Sequence, residues 1–258
     1  MNMLTKFRYL QIKAFKHINL LKTEKKYLST IPNKLPIECN SGISENQKNL
    51  IIQSKKFQDW LNNIDLNAVE VKNINLLNVY MFGNNVGFVN LEVNCTLKNK
   101  LNKKIPGFVF LRGKAVAILV IVNEKYIMLT KQMRVPVGKY LLEIPAGMLD
   151  ESGDLVGTAI KEIKEETGVS ITAKSLIKLD SYYTSPGGTD EEIELFYTNV
   201  NLESKELDRL TKSSFGEASE GEYIKILIEP FNIDTIVKTK DSKALAATLL
   251  YYKHKNLL

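Results

Sequence analysis

Eight consecutive apolar residues, Ala115–Val122 (AVAILVIV), constrain the fold of this chain more than any other stretch. A strand without polar alternation has no face to offer to water, so it belongs inside a sheet that is covered on both sides. Tyr126–Gln132 follows after a short turn and is expected to pair beside it. A helical pattern comes next, in which Leu155, Ala159, Ile163 and Thr167 recur at every fourth position and Gly168 supplies the stop. Leu141–Ile144, Ile177–Tyr183, Glu192–Asn199 and Tyr223–Ile228 read as further strands. Ser242–Tyr252 reads as a final amphipathic helix with Leu245, Leu249 and Tyr252 facing the core. The expected fold over residues 111–258 is therefore α/β, a mixed sheet sandwiched by helices.

Residues 41–110 read as a small β-rich domain ahead of it. A short helix is predicted over Ser54–Asn63, with Phe57, Trp60, Leu61 and Ile64 along one stripe; Trp60 is a packed anchor before it is a platform for a base. Strands follow at Asn75–Phe82, Val86–Leu97 and Lys104–Leu111, with Asn84-Asn85 as a hairpin turn. Residues 28–50 carry Pro32, Pro36 and Gly42 and read as linker. Residues 1–40 form a basic extension, and its segment Met1–Lys22 contains no acid. That composition fits an organelle transit peptide or a plain terminal extension, so the expected location is the cytoplasm or an organelle, plastid-like or mitochondrial.

Charge and side-chain inventory exclude several classes of function. Of the net +6, residues 1–23 hold +5, which leaves the rest of the chain near +1 and without the basic footprint of a nucleic-acid binder. No apolar run reaches the roughly 18 residues of a membrane span. Cys39 and Cys95 stand apart, which fits reduced thiols. With His17 and His254 as the only histidines, imidazole zinc sites and Ser-His-Asp triads are nearly excluded. Any metal must be held by oxygen, which points to Mg²⁺, Mn²⁺ or Ca²⁺.

An oxygen site of that kind is visible in Lys161-Glu162-Ile163-Lys164-Glu165-Glu166-Thr167-Gly168-Val169. Residues three and four apart share a helix face, so Glu162 stands beside both Glu165 and Glu166. Like charges so placed repel, by roughly 0.2–0.5 kcal/mol per exposed pair. A hard divalent cation converts the repulsion into a site. The plain alternative for the acidic cluster alone is a solvated helix face.

The stretch Gly147–Val169 resembles the Nudix box, G-x5-E-x7-R-E-U-x-E-E-x-G-U with U apolar. Gly147, Glu162, Ile163, Glu165, Glu166, Gly168 and Val169 fall on its positions, while Gly153 replaces a glutamate and Lys161 an arginine. In the family those two side chains brace the loop against the helix; here Asp154 or Glu151 is expected to brace Lys161 instead. The likeness continues through Arg112-Gly113-Lys114, Gln132-Met133-Arg134, Leu142-Glu143-Ile144-Pro145-Ala146-Gly147 and Ser185-Pro186-Gly187-Gly188-Thr189. These segments are similar to the ADP-ribose and ADP-sugar diphosphatase branch of the Nudix superfamily.

The resemblance implies a Nudix fold that hydrolyses nucleoside-diphosphate sugars (ADP-ribose, ADP-glucose or UDP-glucose) to a nucleoside monophosphate and a sugar phosphate. It implies Mg²⁺, with Mn²⁺ as the alternative, held by Glu162, Glu166 and the Ala146 carbonyl, with Glu165 shared between metal and catalysis. It places the base at Glu220, with Glu222 as second candidate, and substrate contacts at Arg112, Arg134, Gly187 and Gly188. It also implies a homodimer paired through the small domain; the near-neutral body and the lack of a long apolar run argue against nucleic acid or membrane as partner. Read without the family, Arg112 and Arg134 are as compatible with structural ion pairs, Pro186-Gly187-Gly188 with a turn, and Glu217, Glu220 and Glu222 with a charged loop. A competing function is a non-catalytic nucleotide sensor on a degenerate Nudix fold, favoured by Gly153 and Lys161 and opposed by the intact glutamates. An RNA-processing enzyme would need a basic groove that the near-neutral body does not offer.

Overall fold

The computed structural model describes residues 35–99, 102–150, 152–216 and 222–257; Met1–Lys22, Glu151, Glu217 and Glu220, all singled out above, lie outside them. The chain divides into two compact units, the first ending at Phe110 and the second beginning at Leu111.

The first unit contains β1 (Ile37–Cys39), helices α1 (Glu45–Gln53) and α2 (Lys55–Asn62), then β2 (Val69–Phe82), β3 (Asn85–Leu97) and β4 (Phe108–Leu111). Its sheet runs in the order β1-β2-β3-β4, with β1 parallel to β2 and β2 antiparallel to β3. Part of the expected linker is therefore regular structure. Ser44 opens α1 with a capping box, its hydroxyl accepting from the Gln47 N–H while the Gln47 side chain accepts from the Ser44 N–H. Strand β2 begins at Val69, ahead of the expected Asn75, because Val69 and Val71 already alternate with Glu70 and Lys72. The hairpin loop is Gly83-Asn84, one residue earlier than read, since Phe82 pairs with Asn85 and Gly83 takes φ of 57°. Both cysteines are free thiols.

In the second unit, β5 (Ala115–Val122), β6 (Tyr126–Arg134), β9 (Ile177–Tyr183), β10 (Glu192–Val200), β11 (Ser214–Phe215) and β12 (Ile224–Pro230) form a sheet ordered β11-β12-β6-β5-β10-β9. Strand β5 is buried along its full length, as its unbroken apolar run requires. Its side chains alternate between two cores. Ala115, Ala117, Leu119 and Ile121 meet Ile236 of α5 (Ile233–Thr239) and Ala244 and Ala247 of α6 (Ser242–His254). Val116, Ile118, Val120 and Val122 meet Ala159 and Ile163 of α3 (Leu155–Thr167) and Leu210 of α4 (Ser204–Lys212). Helix α6 buries Ala244, Ala247 and Thr248, whereas Leu245 and Leu249 face solvent, the reverse of the expected stripe. Small side chains form the packed face, so the helix lies close to the sheet and its leucines point away.

Strands β5 and β6 pair only at Ile121–Ile127 and Val122–Tyr126, rather than side by side along their length. Beyond those pairs they part, and β7 (Lys139–Glu143) bonds to β6 while β8 (Ala146–Met148) bonds to β5. The connection at Ile144-Pro145 is held between them by the Ile118 N–H donating to the Pro145 carbonyl at 2.9 Å. This wedge brings Ala146 and Gly147 to the middle of the sheet, under α3. Among the described residues no helix is long and apolar enough to cross a membrane.

Candidate active site

Helix α3 starts at Asp154, whose carboxylate caps it by accepting from the Gly157 N–H at 3.0 Å, and ends at Gly168 with φ of 71°. Ala159, Ile163 and Thr167 are fully buried against the sheet. That anchoring fixes the rotation of the helix and sets the next ridge, Glu162 and Glu166, over the β8 wedge. The Glu166 carboxylate accepts from the Ala146 N–H at 3.0 Å, and the carboxyl of Glu162 fills the space where a side chain on Gly147 would stand. Glycine at 147 thus provides room for Glu162 to lie on the strand backbone.

Glu166 is 4% exposed. Burial, then the neighbouring Glu162 and, more weakly, Glu222, push its carboxyl up to about 8, against the opposing pull of the Ala146 N–H and Arg134. An acid kept out of its charged form by burial and by a second carboxylate is a poor structural element and a ready cation ligand. Glu165, the third acid of the ridge, has its carboxylate 3.5 Å from the Lys161 ammonium. Asp154, expected as one possible brace for Lys161, is engaged as the helix cap. Gly153 takes φ of 72°, a left-handed conformation that a glutamate at this box position would adopt only with strain.

Glu222 precedes β12 and packs on Gly216, where an added Cβ would come 2.9 Å from that of Glu222. The Gly216 N–H donates to the Glu165 carbonyl at 3.2 Å, which ties this segment to α3. Arg134, at the end of β6, donates from Nε to Glu143 Oε2 at 2.7 Å and feels the charges of Glu166 and Glu222. Burial pulls its guanidinium down, but Glu143 outweighs burial and holds it above its ordinary value. Glu162, Glu166, Glu222 and Arg134 are thus brought into one electrostatic cluster.

Arg112 belongs to a second group. Its Nε pairs with Glu191 at 2.5 Å, and Asp190 accepts from the backbone N–H of Arg112 at 2.7 Å and from that of Gly113. Gly187 and Gly188 lie in the turn just before, where the N–H groups of Gly188 and Thr189 donate to the Ser185 carbonyl. Among the described residues a side chain added at either glycine would meet nothing within 4 Å, so packing against them does not demand glycine there. Register joins the two groups to one end of the central strand, because Ala115 pairs with Ile193 on one side and with Met148 on the other.

Lys243 and Asp241 have no signal in the linear pattern as functional side chains, and Glu143 stands there only within a longer motif. Lys243 donates to Glu143 at 2.9 Å and to Asp241 at 2.8 Å, and Asp241 also accepts from the Ile144 N–H at 3.0 Å. Burial pushes the Glu143 carboxyl up, but Lys243 and Arg134 outweigh it and hold it below its ordinary value. Glu143 and Lys243 are 100 residues apart, so only the fold reveals the contact.

Among the described residues no three His, Cys, Asp or Glu side chains gather closely enough to hold a metal unaided. The donor set nevertheless suits a hard cation: two carboxylates, one buried and one lying in a glycine cradle, with no nitrogen or sulfur. Mg²⁺ characteristically takes one or two carboxylates and completes its shell with water and substrate phosphate.

The NUDIX domain family matches residues 111–227. Nudix hydrolase 14, chloroplastic, from Arabidopsis thaliana is 34% identical over 245 residues, spanning 87% of this chain and 79% of that protein. An ADP-ribose pyrophosphatase from Bacillus subtilis is 42% identical over 97 residues, 36% of this chain and 51% of its own length. Among solved structures, the crystal structure of an ADP compounds hydrolase superposes with a TM-score of 0.53 at 15% identity, covering 76% of this chain and all of that one, which shows a shared fold. The chain belongs to the Nudix family and is a Nudix hydrolase.

Proposed function

We propose that this enzyme hydrolyses the diphosphate bridge of a nucleoside-diphosphate sugar, ADP-ribose, ADP-glucose or UDP-glucose, to a nucleoside monophosphate and a sugar phosphate. The observation that carries the reading is the buried Glu166 beside Glu162 above Gly147, an acid pair that costs stability unless a cation shares it. Glu162 and Glu166, with the Ala146 carbonyl and with Glu165 in support, would hold Mg²⁺, or Mn²⁺ in its place. Such an ion neutralises bridging-phosphate charge and lowers the pKa of water. Arg134 and Arg112 offer forked donors to phosphate oxygens, and the Gly187-Gly188 turn leaves open backbone for the substrate. Glu220, or Glu222 as the alternative, takes the proton of the attacking water as its oxygen bonds to phosphorus and the bridging P–O bond breaks. The proton then passes to the departing phosphate.

The names of two relatives, ADP-ribose pyrophosphatase from Bacillus subtilis and GDP-mannose pyrophosphatase from Cronobacter sakazakii, support this class of substrate. The same reading has the enzyme acting as a homodimer in the cytoplasm or in an organelle. Sedimentation velocity checks the dimer. A panel of nucleoside-diphosphate sugars, with a coupled phosphatase and with or without Mg²⁺, tests the activity. Mg²⁺-dependent phosphate release, abolished by Glu166→Gln and reduced by Glu220→Gln or Glu222→Gln, is the expected result. Tight nucleotide binding without turnover would establish the sensor reading instead.

A further inference from the structure

The second unit buries a cation that the proposed chemistry does not touch. Lys243 lies in the first turn of α6, its side chain is 13% exposed, and its ammonium reaches Glu143 Oε1 at 2.9 Å and Asp241 Oδ1 at 2.8 Å. A buried ammonium is retained only when its partners compensate for lost water. Both partners here have a second task. Glu143 Oε2 accepts from Arg134 Nε at 2.7 Å, and Asp241 Oδ2 accepts from the Ile144 N–H at 3.0 Å, two residues before Ala146.

We propose that Lys243 is a positioning residue that, by occupying one oxygen of Glu143, holds Arg134 in a single-pronged contact and leaves its terminal amino groups for a diphosphate. Among the described residues the side chain of Arg134 uses only Nε for hydrogen bonding. A free carboxylate beside a guanidinium closes into a two-bonded fork. Without Lys243, Oε1 of Glu143 is released to take a terminal amino group of Arg134, and that donor is withdrawn from the ligand. Taken by themselves, Arg134, Lys243, Glu143 and Asp241 carry two positive and two negative charges; loss of Lys243 leaves two carboxylates against one guanidinium. The inference rests on the nucleotide-sugar reading, since it needs a diphosphate for Arg134 to receive.

The test compares Lys243→Met, which keeps length and removes charge, with Arg134→Ala and with the double variant. Steady-state kinetics on the best-cleaved nucleotide sugar are paired with calorimetric binding of ADP-ribose in EDTA. Loss of one charged hydrogen bond to the ligand predicts a rise of roughly 10-fold in KM and in Kd for Lys243→Met, with a smaller change in kcat. Because Lys243 acts through Arg134, the double variant is expected within about 3-fold of Arg134→Ala alone. Multiplying effects, or unchanged KM and Kd in Lys243→Met, would overturn the inference. Should Lys243→Met not fold, Lys243→Met/Glu143→Gln removes the second acceptor oxygen and the unpaired charge together; it is expected to bind ADP-ribose within about 3-fold of wild type, and a loss of about 10-fold there also overturns the inference. Wild-type protein that binds ADP-ribose without cleaving it removes the hydrolase reading while the binding cycle still decides the role of Lys243. Wild-type protein that does neither overturns both.

Discussion

In metal-free protein, Glu166→Gln is expected to raise stability, and by an amount that depends on pH. The carboxyl of Glu166 keeps its proton to about pH 8, against an ordinary 4.5. The native state therefore binds this proton more tightly than the unfolded chain does, and stability falls as pH rises from 4.5 through about 8, then levels. At 1.36 kcal/mol per decade of affinity, the full penalty above pH 8 is at most about 5 kcal/mol for the rise from 4.5 to about 8. Glutamine keeps the acceptor for the Ala146 N–H and removes the charge facing Glu162. The variant is then expected to be about 2–5 kcal/mol more stable than wild type at pH 9 in EDTA, and nearly equal to it at pH 4.5. Urea unfolding of both proteins across that range reads the difference directly. A difference that does not vary with pH, or a glutamine variant less stable at pH 9, would refute the electrostatic reasoning.

Two further outcomes follow from the packing. Gly147→Ala is expected to fold, since the nearest atoms it meets belong to the flexible Glu162 side chain, but to lose roughly 10–100-fold in Mg²⁺ affinity; activity measured against Mg²⁺ concentration checks this, and an unchanged half-saturation point would count against the cradle. Thr198 and Thr248 bury hydroxyls that have no hydrogen-bond partner among the described residues, so Thr198→Val and Thr248→Val are each expected to stabilise by about 1–2 kcal/mol in chemical denaturation.

The parts of this fold that were legible in the sequence are those governed by local periodicity. The apolar run at Ala115–Val122, the α3 ridge and its Gly168 stop, and the strands around β9 and β10 all declare themselves within a few residues. The elements missed at that level are short or polar: β1, α1, α4, β11 and α5 owe their structure to capping and docking more than to pattern. Helix α6 was placed correctly but rotated wrongly, because leucines outrank alanines on any hydropathy scale while close packing prefers the alanines. At the site, the spacing of Glu162, Glu165 and Glu166 identifies one helix face, yet it does not show that Glu165 pairs with Lys161 while Glu166 is buried. The chain from Lys243 through Glu143 to Arg134 is a property of tertiary contact and leaves no linear trace.

The proposed hydrolysis depends on Glu162 and Glu166 sharing a divalent cation. Titration of Mn²⁺ followed by electron paramagnetic resonance measures that directly in wild type, Glu162→Gln and Glu166→Gln, with and without a non-hydrolysable diphosphate. Saturable binding in wild type that weakens at least about 10-fold in each variant and tightens when the diphosphate is present is the predicted result. Equal binding in all three proteins would place the metal elsewhere and contradict the account.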